Sequence, residues 1–502
     1  MLRLLPALAL ALAVSACDSD PYVECPGVAD CPPLDFDPST VDYDTVASLD
    51  YETVVQPLLQ ARDPLGLTSY SYGALLASDA GAAIVPFDAA ASPLVRLATE
   101  ALADGVDDPY PGIQRLEDDE VRLLERWIED GARGADGAPA YADAERVLYV
   151  CNQLAGRVAV VDVDRERTIR HVDFEALGQP ANAKPHHVLA DGDAWYVTLI
   201  DGTGGGSVLK LRADLALDPA SPSLVLAEET PPTGEATFQK PGMLALDRER
   251  GRLYVGKSFS ADATTNQIAA FGDLGALTFE TYQPGPGAIH PHAVGVSADG
   301  QFVYTAALTS TGGETEVFVL EAETGDLVQR LALPGQLAFV HFAVSEEVVA
   351  LTSQTGDALY LFDAGADGQL TLRSAVPVGG QPWHVSLSPD GQRAYVPNRT
   401  SNTLSVVDPG AGAVVQTVTS DAFSQPHGTA VSSDGALLFV TSRNLAMTGA
   451  ASWVPPLRFV VDGEEEPADA YGNVAILDAA SGTVRAVIPQ GRFASGVAYA
   501  EL

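Results

Sequence analysis

A short unit that the chain repeats constrains its fold more than any other feature. The most complete copy spans Gln381 to Asp408 and reads QPWHVSLSPDGQRAYVPNRTSNTLSVVD. Alternating apolar residues predict a first strand around His384, a second at Ala394 to Val396 and a third at Thr403 to Val407. A tight turn at Pro389-Asp390-Gly391 joins the first two. Short strands joined by Asp-Gly turns are typical of an antiparallel meander.

Seven copies of this unit occur, several opening with Pro-His or Pro-x-His. Their first residues are Pro185, Pro241, Pro291, Phe339, Gln381, Pro426 and Phe493. The copies start mostly about 43 to 56 residues apart, with one gap of about 67, which is the period of four-stranded propeller blades. The sequence therefore predicts a mainly β fold, a seven-bladed β-propeller over residues 147–502.

The two ends of this region complement each other. Val147 to Val150 has the sequence of a blade's second strand, yet no first strand precedes it. Gly496 to Ala500 matches the first-strand copies. We therefore expect the C-terminal strand to complete the first blade, which would leave no free sheet edge inside the ring.

Two four-residue runs carry a resemblance to a known family. Tyr149-Val150-Cys151-Asn152 and Tyr395-Val396-Pro397-Asn398 resemble the YVTN repeat of bacterial seven-bladed propellers. The resemblance implies the fold. It does not specify an activity, because propellers include sensors, scaffolds, lactonases and metalloenzymes.

Charge excludes some functions. The chain has 28 Lys and Arg against 67 Asp and Glu, a formal net charge of -39, and no basic cluster. Nucleic acids and anionic lipid surfaces both require a cationic face. We therefore expect no nucleic-acid partner.

The N-terminus has the features of an export signal. Arg3 precedes an apolar stretch from Leu4 to Val14, and Ser15-Ala16-Cys17 follows. The stretch resembles a bacterial lipoprotein signal over residues 1–17. The resemblance implies acylation of Cys17, a membrane anchor through that lipid, and a location in the cell envelope, facing the periplasm or the cell surface.

Residues 18–50 are predicted to form a linker rich in Pro and Asp. Export would place Cys25 and Cys31 in an oxidising compartment, where they are expected to form a local disulfide. Half of a metal site is the alternative interpretation of the same pair.

Residues 51–134 have helical periodicity. A Val-x-Pro-x-Leu opening at Val55 and a closing helix from Leu116 to Ala132 resemble a small α-helical c-type cytochrome domain. That family holds haem with Cys-x-x-Cys-His, but DPLGLTSYSYGA stands at this position and no Cys, His or Met occurs from Glu52 to Glu145. We therefore expect a haemless, cytochrome-like domain.

Histidines are the sharpest chemical signal. In a propeller the starts of first strands and the ends of second strands share one face, and seven of the eight histidines fall at such positions. The residues placed on this face are His186, His187, His290, His292, His341, His384 and His427, with Lys257, Arg399, Arg443 and Asn444. The excursion from Leu445 to Tyr471 is expected to cover part of it, and only His171 lies outside.

Three interpretations of this face remain open. In the first, Pro-His before a first strand is a structural feature of the repeat, with each imidazole satisfied by backbone near the channel. The protein is then a binding or scaffolding module that holds a protein or small molecule at the face lined by His186, His187, His292, His384, His427, Lys257, Arg399 and Arg443. In the second, a metal ion is bound by His186, His187, His292, His341, His384 and His427; the His186-His187 doublet resembles the histidine-ligated copper centre of nitrous oxide reductase. In the third, the Pro-x-His starts resemble 6-phosphogluconolactonase-type propellers, which implies an enzyme acting on lactones.

Lipid attachment can be tested directly. We expect the mature protein to begin at acylated Cys17, because two or more acyl chains give stable anchoring where one is marginal. Mass spectrometry of the N-terminal peptide measures this. An unmodified Cys17, or cleavage at another residue, would contradict it.

Overall fold

The computed structural model describes residues 36–181, 183–192, 194–200, 207–213, 228–229, 240–258, 267–272, 274, 278–285, 288, 290–308, 314–445 and 453–502. Cys17, Cys25 and Cys31 lie outside these residues, so the acylation site and the disulfide stay predictions. Across the described part of the chain, no helix has both the length and the apolar character needed to cross a membrane.

The N-terminal part is a helical segment, defined here as residues 36–134. Its helices are α1 (Gln56–Arg62), α2 (Tyr72–Ala77), α3 (Pro93–Thr99) and α4 (Asp118–Glu129). A π turn at Tyr51–Val55 leads into α1, and 3-10 turns lie at Pro38–Thr40, Tyr43–Thr45, Asp79–Ala83 and Pro111–Arg115.

Local sequence explains the longest helix. Glu117 and Glu120 form a capping box at the start of α4, which satisfies backbone N–H groups that the first turn leaves unpaired. Gly131 ends the helix with φ of 98°, a conformation that favours glycine. Glu120 is buried and pairs with Arg62 at 2.7 Å, so α4 is tied to α1.

Aromatic side chains form the interior of the helical segment. The ring of Tyr51 lies 5.4 Å from that of Trp127 and 5.1 Å from that of Tyr72. Tyr51 and Trp127 are fully buried. These side chains occupy the centre of the segment, and the haemless, cytochrome-like interpretation remains a prediction.

Strands make up the rest of the described chain. The first sixteen are β1 (Ala101–Leu102), β2 (Arg146–Asn152), β3 (Arg157–Asp162), β4 (Arg167–Asp173), β5 (Pro185–Asp191), β6 (Ala194–Leu199), β7 (Ser207–Arg212), β8 (Glu228–Glu229), β9 (Pro241–Asp247), β10 (Arg252–Lys257), β11 (Ile268–Phe271), β12 (Phe279–Tyr282), β13 (Ala293–Val296), β14 (Phe302–Ala306), β15 (Glu314–Glu321) and β16 (Leu327–Pro334). The others are β17 (Phe339–Val344), β18 (Val349–Ser353), β19 (Ala358–Ala364), β20 (Leu370–Pro377), β21 (Ser386–Leu387), β22 (Ala394–Asn398), β23 (Thr403–Asp408), β24 (Ala413–Thr419), β25 (Pro426–Val431), β26 (Leu437–Ser442), β27 (Phe459–Val461), β28 (Glu464–Glu465), β29 (Gly472–Asp478), β30 (Val484–Gln490) and β31 (Ala494–Glu501). A 3-10 turn lies at Ala468–Ala470.

Among the described residues these strands form seven four-stranded antiparallel sheets. Their orders are β31-β2-β3-β4, β5-β6-β7-β8, β9-β10-β11-β12, β13-β14-β15-β16, β17-β18-β19-β20, β21-β22-β23-β24 and β25-β26-β29-β30. The first strands β31, β5, β9, β13, β17, β21 and β25 contact one another in this order, and β25 contacts β31. The mainly β, propeller-type fold predicted from the sequence is confirmed.

The repeated Ser-x-Asp-Gly sequence forms the turn between first and second strands. In the copy at Ser297, the serine Oγ donates to Asp299 Oδ1 at 2.7 Å and accepts the Phe302 N–H at 2.9 Å. Gly300 follows with φ of 66°, a left-handed conformation that glycine adopts without steric cost. The same bonds recur at Ser388 and Ser432.

Several first strands are interrupted at one equivalent place. In β5, β17 and β25 two residues stand opposite one residue of the second strand. These pairs are His186-His187, Val340-His341 and His427-Gly428. A two-against-one interruption bends a strand and re-aims its side chains. The histidines therefore leave the regular alternation of the sheet.

A threonine of the second strand stands opposite each interruption. Thr198 Oγ1 accepts the His187 N–H at 3.1 Å and donates to the Gly242 carbonyl of the next sheet at 2.9 Å. Thr352 donates to the Trp383 carbonyl at 2.6 Å, and Thr441 donates to the Ser495 carbonyl. Each hydroxyl thus joins one sheet to the first strand or lead-in of the next.

The helical segment packs against the first two sheets. Arg170 in β4 donates to the Pro86 carbonyl at 3.0 Å, and His171 Nδ1 lies 2.8 Å from an Asp88 carboxylate oxygen. One continuous apolar cluster includes Trp127 of α4 and residues of β2, β3 and β6. The eighth histidine therefore belongs to this contact between segment and sheets.

The excursion after β26 also reaches the helical segment. Its described part, Trp453 to Tyr471, places β27 against β1. Arg96 of α3 binds Glu466 at 2.9 Å and the Tyr471 hydroxyl at 2.8 Å, and it lies 3.9 Å above the Phe459 ring. The sequence predicts that this excursion covers part of the propeller face. The Trp453 carbonyl accepts the side-chain N–H of Asn444, a residue placed on that face, at 3.0 Å, while β27 packs on the helical segment.

One local prediction needs correction. The first strand around His384 was expected to pair along its length, but its ladder is limited to Ser386 and Leu387, with an isolated bridge at Pro382. The His384 N–H instead donates to the His427 carbonyl of the next sheet at 3.1 Å. This bond to a neighbouring sheet replaces one within the ladder.

Removal of Gly496 to Leu502 should destabilise the whole set of sheets. β31 pairs with β2 along its length and contacts β5 and β25, so its loss exposes inner edges on both sides. Hydrogen exchange of the truncated protein should show lost protection in all seven sheets, beginning with the first, second and seventh. Deletion of the half-exposed Leu502 alone is the control, and truncation that affects only β2 would contradict the prediction.

Candidate functional site

Six histidines form a cluster at the centre of the sheets. The histidine cluster is defined as His186, His187, His292, His341, His384 and His427. His427 is fully buried, and the exposed fractions of His186, His187, His292 and His384 do not exceed 5%. His341 is half-buried. Residues from five sheets, far apart in sequence, thus meet in one place.

His384 lies in the middle of the cluster. Its ring centroid is 4.5 Å from that of His427, 5.2 Å from His341, 5.4 Å from His187 and 5.9 Å from His186. His292 joins through His186 at 5.5 Å. The imidazoles contact one another directly.

The sheet β9-β10-β11-β12 has a glycine where other sheets place a histidine, and this glycine leaves room for a neighbouring ring. Its first strand has Gly242 after Pro241, where other copies have Pro-His. A Cβ atom on Gly242 would lie 2.6 Å from His292 Nδ1 and 2.6 Å from Ser258 Oγ. Glycine is required there because the His292 ring occupies the room that a side chain would take.

Hydrogen bonds fix the tautomers of three members. His186 Nδ1 donates to Gln153 Oε1 at 3.2 Å, and His341 Nδ1 donates to the Val385 carbonyl at 3.1 Å. Because both are neutral, each keeps an unprotonated Nε2. His187 Nδ1 instead accepts the Leu244 N–H at 3.1 Å, so its proton is on Nε2.

Several ring nitrogens of the cluster have no hydrogen-bond partner among the described residues. They are Nε2 of His186, His292 and His384 and both nitrogens of His427. Burial of a polar atom without a partner costs about 1–3 kcal/mol. The concentration of such atoms in one place makes the cluster the candidate site of the described residues.

Burial keeps these imidazoles neutral. It lowers the pKa of His186 to about 3, with the charges of Arg443 and His341 acting in the same direction. It lowers the pKa of His341 to about 4, although the bond to Val385 opposes the shift. The pKa values of His187, His292, His384 and His427 also lie well below the usual value, first because of burial.

An arginine–aromatic group borders the cluster at His427. It consists of Trp383, Arg399, Arg443 and Phe493. The Trp383 ring stacks on His427 at 4.5 Å, and the Arg443 guanidinium carbon lies 3.7 Å from the Phe493 ring centroid. Both guanidinium carbons are 5.9 Å from the Trp383 ring. Burial and the charge of Arg399 lower the pKa of Arg443 to about 9.

Two cavities lie elsewhere. A cleft of about 570 Å³ separates the helical segment from the excursion and is lined by Pro93, Tyr110 and Pro455 among others. A second, of about 600 Å³, lies beside the outer turns at Pro389 and Gly435. Neither is lined by a histidine. The candidate site is therefore identified by its buried, unpartnered nitrogens and not by the size of a cavity.

The structure brings together most of the residues placed on the face from the sequence. Ring contacts connect the six members of the histidine cluster. The guanidinium carbons of Arg399 and Arg443 lie 5.9 Å from the Trp383 ring, which stacks on His427. Lys257 is buried at the end of β10, with its N–H donating to the Pro291 carbonyl at 2.9 Å. His290 is buried two residues before His292, and its carbonyl accepts the His292 N–H at 2.7 Å.

Sequence reasoning missed four residues of the site. Gln153 and Ser258 hydrogen-bond His186 and His292, while Trp383 and Phe493 pack on His427 and Arg443. A positional signal existed for two of them. Gln153 directly follows the Tyr-Val-Cys-Asn run, and Trp383 directly precedes His384.

Comparisons with known proteins support the fold alone. No protein family and no curated protein matches the sequence. A crystal structure from Bacteroides fragilis, described as a candidate 6-phosphogluconolactonase, is 16% identical with a TM-score of 0.52 and covers 72% of this chain and 100% of its own. A protein of the same description from Bacteroides uniformis is 14% identical with a TM-score of 0.50, covering 71% and 100%.

Hydrazine synthase of Kuenenia stuttgartiensis is also similar, at 15% identity and a TM-score of 0.46, covering 59% of this chain and 89% of its own. The sheets and the two lactonase-like structures define the class: the chain folds as a β-propeller.

The cluster should make stability depend on pH. The folded protein keeps its histidines neutral to about pH 4 or below, whereas the unfolded chain takes up protons below about pH 6.5. The free energy of unfolding should therefore fall between pH 6.5 and pH 4, by about 1.4 kcal/mol per pH unit for each shifted histidine.

Urea denaturation at pH 7.5, 6 and 5 measures this dependence. His341→Gln should reduce the slope, because one shifted group is removed from the less buried edge of the cluster. Equal stability at pH 7.5 and 5 in the wild-type protein would show that the imidazoles are not held neutral.

Proposed function

We propose that the protein is a binding protein of the propeller class that holds a small ligand at the histidine cluster. One observation carries this proposal: buried, neutral imidazoles with unpartnered ring nitrogens converge from four sheets. A purely structural core would satisfy or replace these polar atoms, because each unpaired one is destabilising.

Depth favours a small ligand over a protein partner. His186, His187, His292, His384 and His427 expose almost none of their surface. Residues that dominate a protein interface must be reached by the partner's side chains. A scaffolding role would therefore use other surfaces, whereas an ion or small molecule can enter the cluster.

A late transition metal ion is one class of ligand that the donors suit. Imidazole is a preferred ligand of zinc, copper, iron and nickel. His186 and His341 already donate their Nδ1 protons to oxygen acceptors, which is how metal-ligating histidines are oriented. No group of three or more His, Cys, Asp or Glu within the described ranges is positioned to hold a metal, so ligation would require rotation of the rings.

Lactone hydrolysis is a second candidate function. The unprotonated Nε2 of His186 is the candidate general base. Its pKa of about 3 makes it a weak base, because a general base is most effective when its pKa lies near the working pH. Arg443, whose charge acts on His186, could stabilise negative charge that develops on the substrate. The lactonase description of the two Bacteroides structures agrees with this candidate.

The proposal includes the setting predicted from the sequence. The protein would be a YVTN-type propeller held in the cell envelope by acylated Cys17, with a haemless, cytochrome-like segment before it. The packing of that segment on the first two sheets supports one assembled body with the histidine cluster inside it.

Titration calorimetry with Zn²⁺, Co²⁺, Cu⁺ and a panel of sugar lactones tests the proposal. At least one probe should bind the purified full-length protein with a stoichiometry near one per chain. His384→Gln should abolish this binding, because His384 lies among four other imidazoles. Turnover of a lactone by the wild-type protein, measured in parallel, distinguishes the enzyme from the binding protein.

His171→Gln is the matched control, since it removes a partly buried histidine that pairs with Asp88 outside the cluster. This variant should bind like the wild-type protein. The proposal is wrong if no probe binds, or if binding survives in His384→Gln.

A further inference from the structure

Arg443 differs from the other buried arginines of the described chain. Arg252 pairs with Glu323 at 3.0 Å, Arg167 donates to the Ser78 carbonyl at 3.0 Å, and Arg170 donates to the Pro86 carbonyl at 3.0 Å. Arg443 is buried to a similar degree, with 7% of its surface exposed. Its Nε has no partner, and no described carboxylate forms an ion pair with its guanidinium.

The surroundings of Arg443 are aromatic and cationic. Its guanidinium lies on the Phe493 ring at 3.7 Å and near the Trp383 ring at 5.9 Å. The charge of Arg399 acts on it strongly enough to lower its pKa. Contacts with ring faces offset part of the desolvation of a cation, but they do not neutralise the charge of the Arg443 guanidinium.

Two further donors of the same group lack acceptors. The Trp383 Nε1–H is buried without a partner, and neither ring nitrogen of His427 has one. Trp383 and His427 are stacked at 4.5 Å, so both belong to the surface that Arg443 faces. A tryptophan N–H can only donate, and a neutral histidine carries one N–H as well.

Positive charge and hydrogen-bond donors without acceptors call for an anion. A buried charge is strongly unfavourable unless it is paired, and guanidinium binds carboxylate and phosphate oxygens in a forked geometry. We propose that Arg443, Arg399, Trp383 and His427 bind an oxyanion, the phosphate or carboxylate group of a small ligand. The aromatic faces of Trp383 and Phe493 would contact the part of the ligand next to that group.

This inference deepens the proposed function and rests on it for the location of the ligand, because His427 belongs to both groups of residues. It specifies the two ends of the ligand: one end contacts neutral imidazoles, and the other end carries negative charge. Inorganic phosphate and acetate represent the two kinds of oxyanion group. The anion that binds more tightly identifies the group that the ligand carries.

The test is titration calorimetry of the full-length protein with phosphate and with acetate at pH 7, using chloride to hold ionic strength constant. Saturable binding of one anion per chain is expected. Arg443→Gln should weaken it by at least about tenfold, because charge-assisted bonds to the guanidinium provide the affinity. Arg443→Lys keeps the charge but loses the forked hydrogen-bond geometry. Its anion affinity should lie between those of the wild-type protein and Arg443→Gln. Arg330→Gln removes an exposed arginine that pairs with Glu316 and should bind like the wild-type protein.

Thermal unfolding separates binding from a structural role. Without added anion, Arg443→Gln should melt at or above the wild-type temperature, since it removes an uncompensated buried charge. The inference is overturned if neither anion binds the wild-type protein, if Arg443→Gln binds as tightly, or if both Arg443 variants lose stability while retaining the anion. If phosphate and acetate do not bind, the proposed function is not affected. It is tested separately, by the histidine-dependent binding of metal or lactone probes.

Discussion

The threonine hydroxyls opposite the interrupted first strands hold the centre of this molecule together. An interruption alone would leave backbone groups unpaired in a place that water does not reach, which is costly. Thr198 and Thr441 accept the freed N–H groups and donate to a carbonyl of the adjoining sheet. The irregular backbone is therefore satisfied by the same bonds that join the sheets. Because the ladders are interrupted there, the histidines point away from their own sheets and meet one another.

The repeated unit made much of this predictable. Period-2 alternation and Ser-x-Asp-Gly turns locate strands without knowledge of their partners, and the first-strand sequence at Gly496 indicates pairing with β2. The common position of Pro-His in successive copies likewise indicates that these histidines converge. Nothing local indicates that His384 would bond across to His427 at the expense of its own ladder. The attachment of the excursion through Arg96, Glu466 and Phe459 depends on residues hundreds of positions apart, and no periodic pattern links them.

The site combines two kinds of polar group that are both unfavourable to bury. The imidazoles avoid charge by remaining neutral, and each then presents a nitrogen without a partner. Arg443 keeps its charge and rests on aromatic rings. Such an arrangement lowers the stability of the free protein and increases what a complementary ligand can contribute. The broad apolar clusters of the seven sheets allow the fold to tolerate this cost.

Pairing of β31 with β2 also determines the order in which the molecule can be completed. The strands β2 to β4 and the helical segment that covers them are synthesised before β31, so their sheet lacks its innermost strand until β31 emerges. Contacts of such large sequence separation form slowly. Until then β2 presents an open edge beside buried apolar side chains, which is a site for aggregation or for a chaperone. The helices that pack on β4 through Arg170 and His171 would shield one side of this incomplete sheet until β31 has been synthesised.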